Sequence, residues 1–169
     1  MHQPSKFSPV IIGAVVMTII AVVPGLNFLN LVCCAGIMLG GVAGTIFYNR
    51  ELAKTGGSLQ FKDGAAIGVL AGFLSAIIVV VFTTLLTMVM NQNPIPELYK
   101  IFDEKGLTLP PEAERLLQKI SEEYRKNGFS ISLTLITLVM DVILYPLFGA
   151  IGGLLAAAVI GKKKNVQEQ

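Results

Sequence analysis

The stretch CCAGIMLGGVAGTIFYNR, Cys33–Arg50, places Gly36, Gly40 and Gly44 four residues apart in an otherwise apolar run. Glycine is a poor helix former, costing about 1 kcal/mol relative to alanine in a helix interior. A segment that keeps three of them on one face uses that face for something other than helix stability. Within lipid, apolar surface gives helices little reason to associate, and close backbone approach at small residues supplies the packing instead. The stretch therefore reads as a membrane helix with a glycine face, ended on its polar side by Arg50.

The rest of the chain fits that reading. Of its 169 residues 53% are hydrophobic and 14% charged, and the mean hydropathy is +0.70. Soluble domains carry about 25% charge. No Asp, Glu, Lys or Arg lies between Phe7 and Tyr48, nor between Gly64 and Met90. Charge-free apolar runs of this kind predict membrane-spanning helices. The expected fold is all-α: a polytopic membrane protein, one membrane domain over 1–169, with four transmembrane helices in two hairpins. The spans are about 7–23, 28–48, 64–90 and 130–160. The first also resembles the apolar core of a signal peptide, but no small-x-small cleavage site follows, so it is read as retained. Pro24-Gly25 closes the first hairpin, and Asn49–Asp63 forms a polar connection broken at Gly56-Gly57.

Lys6, Arg50, Lys54, Lys62 and Lys162, Lys163 and Lys164 all fall on one side if four helices alternate. The excess of basic residues in short flanks predicts a cytoplasmic N-terminus and C-terminus. The expected location is a membrane that the chain crosses several times. The segment 91–128 then lies outside; it carries six basic and seven acidic residues and gives no inward signal. Spans three and four exceed the roughly 20 residues needed to cross the hydrocarbon. Their apolar excess, such as Phe82–Met90, requires a cover. The outer segment supplies two amphipathic helical patterns, Pro94–Gly106 and Leu109–Gly128. In the second, Ala113, Leu116, Leu117, Ile120 and Tyr124 form one stripe. This segment reads either as a lid or as a docking face for another membrane protein or a second copy, over about 94–127.

The glycine device recurs. Gly36, Gly40 and Gly44 are followed by Gly64, Gly68 and Gly72 on the third span, and by Gly149 and Gly153 on the fourth, which continues through Ala157 to Gly161. Spans two to four are expected to meet most closely in the half nearest the basic residues. The same faces would serve packing within one chain or oligomerisation.

Chemistry-bearing residues are few. Asp141 is the only acidic residue inside an apolar span, and ionisable groups in membrane helices are functional suspects by default. Thr83, Thr84 and Thr87 on the third span, and Thr134 and Thr137 on the fourth, are its expected hydrogen-bond partners. Asp141 then reads either as a structural carboxylate or as an ion or proton site. His2 is the single histidine, which removes His-based triads and H-E-x-x-H metal sites. There is no phosphate loop, and no basic stretch interleaved with aromatics that would suggest nucleic acid. No catalytic residue, cofactor or metal is expected, and the partners are the lipid bilayer and other membrane helices. The adjacent Cys33 and Cys34 read as small apolar packing residues.

The block Asn27–Ile78 resembles a family of uncharacterised bacterial four-helix integral membrane proteins. The likeness rests on the Asn30–Cys34 entry to a glycine-rich helix, the Tyr48–Arg50 exit, and the DGAAIGVLAG helix from Asp63 to Gly72. The resemblance implies class and topology and brings no activity. Together these readings predict a non-enzymatic scaffold or accessory subunit of a membrane complex, with a small transporter or channel component using Asp141 as the alternative.

Overall fold

The computed structural model describes residues 4–23, 25–26, 30, 34–90 and 93–167, with side chains as far as residue 161. Among them the chain forms six helices and no strand: α1 (Phe7–Val22), α2 (Ala35–Lys54), α3 (Phe61–Met90), α4 (Ile95–Glu104), α5 (Pro111–Asn127) and α6 (Ile131–Gln167). The fold is all-α. Contacts divide the chain into two compact units, one made of Met1–Val79 with Met140–Gln169 and the other of Val80–Val139. Both α3 and α6 run through the boundary.

Two helices, not four, are long and apolar enough to cross a bilayer among the described residues: α3 and the Ile131–Gly161 part of α6. The expectation of four full spans is corrected on this point, and the reason is length. The 16 residues of α1 rise about 24 Å, short of the roughly 30 Å hydrocarbon layer. The 20 residues of α2 end in Asn49, Arg50, Glu51 and Lys54, which leaves too short an apolar part. Residues 27–29, Pro24 and Cys33, on which the predicted hairpin turn and the start of the second span rest, lie outside the described residues.

Local chemistry sets the helix ends. α2 begins after Cys34, which holds the left-handed conformation at φ 55°. It stops at Thr55, followed by Gly56 at φ 70°. The first turn of α3 is capped by Asp63, whose Oδ2 accepts the Gln60 N–H at 3.2 Å; this is the returning half of a capping box. α5 starts at Pro111 behind Pro110 and stops at Gly128, φ 76°, whose N–H donates to the Tyr124 carbonyl. The outer amphipathic patterns thus become α4 and α5 with boundaries close to those read from the sequence.

In the first unit α1, α2 and the beginning of α3 pack with the second half of α6. The core is Ala14, Met17, Ile37, Ala71, Ala76, Val79 and Tyr145, with a second cluster at Tyr48, Leu52 and Ile67. Thr18 and Ser75 share a hydroxyl–hydroxyl bond of 3.0 Å between α1 and α3, a polar contact of the kind that fastens helices in lipid. Backbones meet at glycine. A Cβ at Gly68 would overlap the Gly149 carbonyl, one at Gly64 the Gly153 carbonyl, and one at Gly72 the peptide joining Tyr145 and Pro146. Gly41 is equally close to Gly149, Gly152 to Met38, Gly36 to Ile20 and Asn30, and Gly40 to Gly13 and Met17. Gly44 packs on Pro9 and Ile67. Helix α6 continues without interruption through Pro146.

In the second unit Ile95 of α4 and Ile120 of α5 are buried. A carboxylate latch joins α5 to α6. Glu123 Oε2 accepts the Ser130 hydroxyl at 2.6 Å and the Ser132 N–H at 2.9 Å, while Oε1 accepts the Ser132 hydroxyl at 2.7 Å. Ser130 Oγ in turn accepts the Leu133 N–H, so it caps α6. These hydrogen bonds, first that from the Ser130 hydroxyl, hold the Glu123 carboxyl down at a pKa of about 2.

Candidate functional site

Three arrangements place polar groups among these helices. The first lies at the basic end of the first unit. Lys6 precedes α1, Tyr48 lies on α2 and Asp63 on the first turn of α3, and the fold brings all three together. Lys6 Nζ lies 2.7 Å from Asp63 Oδ1 and 5.8 Å from the centre of the Tyr48 ring. Asp63 is 2% exposed and Lys6 32%, so the carboxylate is buried and the ammonium reaches it from the edge. Tyr48 and Thr45 are fully buried, and their hydroxyl oxygens have no hydrogen-bond partner among the described residues. The sequence placed Asp63 in a polar connection and Lys6 in an N-terminal tail. Nothing in either local context announces the pair, because the two residues come from different helices.

The second arrangement is Asp141. It is half-buried on α6, one turn before the buried Tyr145. It forms no hydrogen bond or ion pair among the described residues. Three of the five threonines expected as its partners give their protons to carbonyls of their own helices. Thr83 donates to the Val80 carbonyl, Thr87 to the Thr83 carbonyl and Thr134 to the Ser130 carbonyl. A threonine in a helix satisfies its hydroxyl most cheaply on the preceding turn.

The threonines make up the third arrangement. Within the second unit, Thr83, Thr84, Thr87, Thr134 and Thr137 line an open-sided cavity of ≈ 240 Å³ together with Val80, Pro94, Tyr124, Phe129 and Leu133. Thr84 and Thr134 lie 3.4 Å apart across it. The cavity has no charged lining residue. All five threonines were expected from the sequence as partners of Asp141; their common surface was not foreseen.

No group of three or more His, Cys, Asp or Glu residues able to hold a metal ion occurs among the described residues. No protein-family model, characterised protein or solved structure matches this chain.

Proposed function

We propose that this chain is an integral membrane protein of the bacterial cytoplasmic membrane that works as a non-enzymatic scaffold or accessory subunit. One observation carries the membrane reading: less than half of the most apolar stretch of α3, and a third of that of α6, is buried within the protein. A soluble core helix of equal hydropathy would be mostly covered. Here Leu70, Phe73, Val81, Leu85 and Val89 on α3, and Leu135, Val139, Ile143, Leu147 and Val159 on α6, stand exposed. Such faces are stable in lipid and a liability in water.

In this reading α3 and α6 cross the bilayer, and α1 and α2 form a shorter embedded pair beside them. The Lys6–Asp63 contact supports a shared cytoplasmic end for the start of α1 and the start of α3, where Arg50, Lys54 and Lys62 also lie. The backbone contacts between α3 and α6 favour a closed bundle over a conduit, because helices that touch at Gly64–Gly153 and Gly68–Gly149 leave no room for a water column between them.

Alkaline carbonate extraction and native electrophoresis in mild detergent test this. A chain that stays in the pellet and runs as one discrete complex supports the scaffold. Release by carbonate refutes the membrane reading, and a monodisperse monomer refutes the scaffold. The half-buried Asp141 favours one competing reading, a small transporter component. Ion flux into liposomes that Asp141→Asn abolishes without loss of thermal stability would establish it.

A further inference from the structure

We infer that the threonine-lined cavity of the second unit is a binding site for the hydroxyl head of an uncharged, single-chain amphiphile. The argument begins with protons. A threonine hydroxyl has one donor and two acceptor sites. Thr83, Thr87 and Thr134 each donate that proton to a backbone carbonyl of their own helix. Because the Thr134 proton is committed to Ser130, the 3.4 Å contact between Thr84 and Thr134 has Thr84 as donor. Thr84, Thr87 and Thr134 therefore present only lone pairs. The hydroxyls of Thr137 and Tyr124 form no hydrogen bond among the described residues and keep protons to give. Burial raises the Tyr124 phenol above its ordinary range, which keeps it protonated.

This wall selects its occupant by elimination. An ester or ketone only accepts, and would leave the lone pairs of Thr84, Thr87 and Thr134 facing an apolar group. An ammonium only donates, and no lining carboxylate balances its charge. A carboxylate finds no cation. An alcohol donates to the acceptor-only threonines and accepts from Tyr124 or Thr137, and Phe129, Leu133, Val80 and Pro94 suit the carbons next to it. At ≈ 240 Å³ the space is below the roughly 300–1,000 Å³ of sites for drug-sized molecules. It takes a head group and the first carbons, and the chain continues over the exposed apolar side chains of the same helical stretches, Val81 and Leu85 on α3 and Leu135 and Val139 on α6. Supply of the ligand from the bilayer rests on the membrane reading above; the match of donors and acceptors does not.

The test uses the full chain in phosphatidylcholine nanodiscs and a diazirine-bearing fatty alcohol, with labelled peptides mapped by mass spectrometry. Labelling is expected within 124–137, suppressed by excess 1-dodecanol and unaffected by equal methyl dodecanoate, dodecyltrimethylammonium or dodecane. Thr84→Val and Thr134→Val together keep the shape and remove acceptors. With each hydrogen bond worth about 1 kcal/mol, they should reduce labelling about tenfold or more. Competition by the ester or the alkane as strong as by the alcohol overturns the inference, and so does labelling of the double variant equal to wild type. The competition series needs no variant, so a variant that fails to fold leaves the inference open to refutation. A chain released by carbonate fails before any probe is added, which separates failure of the membrane reading from failure of this one.

Discussion

A single methyl group added at Gly68 measures how much of the first unit depends on touching backbones. Its Cβ would lie 2.5 Å from the Gly149 carbonyl carbon, and the carbonyl oxygen is nearer still. Carbon atoms in good contact are about 3.5–4.0 Å apart. The helices must therefore separate by about 1 Å or more, and no rotamer relieves the clash because the obstacle is main chain. Overpacking of this kind costs about 1–3 kcal/mol, and a rigid obstacle belongs at the upper end. Replacing a helical glycine by alanine returns at most about 1 kcal/mol. Gly68→Ala is thus expected to destabilise by about 2 kcal/mol. Gly161, also in α6, has nothing within 4 Å of an added Cβ, so only the propensity gain acts there and Gly161→Ala should stabilise slightly. Unfolding of both variants in detergent, followed by circular dichroism, reads the two signs. A Gly68→Ala protein as stable as wild type, or equal shifts for both variants, would refute the reasoning. The pair Gly68→Ala with Gly149→Ala should cost less than the sum of the single changes, since both methyls wedge the same contact.

Lys6→Met strands the buried Asp63 carboxylate and should cost about 3 kcal/mol, at the low end for a broken buried pair because Lys6 is partly exposed; adding Asp63→Asn should recover much of the loss in the same unfolding assay. The Glu123 carboxyl, ordinarily near 4.5, is held at about 2 in the fold. A depressed carboxyl contributes stability that is complete above pH 4.5 and is lost as pH falls from there toward 2. The protection factor of the Ser132 amide, its exchange rate divided into the intrinsic rate at each pH, should fall over that window, and Glu123→Gln should flatten the dependence. Under the scaffold reading, Asp141→Asn leaves liposome ion flux at background, and a flux that depends on Asp141 would decide for the transporter.

Apolarity marked the long helices α3 and α6 well and the ends of the shorter helices less well. The second helix runs on through Arg50 and Glu51 to Lys54, because main-chain hydrogen bonding does not stop where the hydrocarbon would. The same gap between apolar run and helix reduced four expected spans to two. Period-four glycines were legible because close approach needs a repeating face, yet Gly41 and Gly152 fall outside the ladders and touch Gly149 and Met38. A Gly-Gly pair widens the smooth face, so one helix can meet two neighbours there. The Lys6–Asp63 pair was invisible, since a charge at a helix start reads as solvated until tertiary structure buries it. The surface that the threonines share was not legible. Their sequence gave the hydroxyls' positions on each helix but not the local carbonyls that take their protons.

The Lys6–Asp63 contact also imposes an order in time. A chain made from its N-terminus presents Lys6 long before Asp63 exists. Until then the Lys6 ammonium has no Asp63 carboxylate to face. The first helix therefore cannot reach its final seating when it emerges; it must wait, provisionally placed, for the opening turn of α3. Synthesis arrested between these two residues would yield a helix pair whose N-terminal end is not yet fastened.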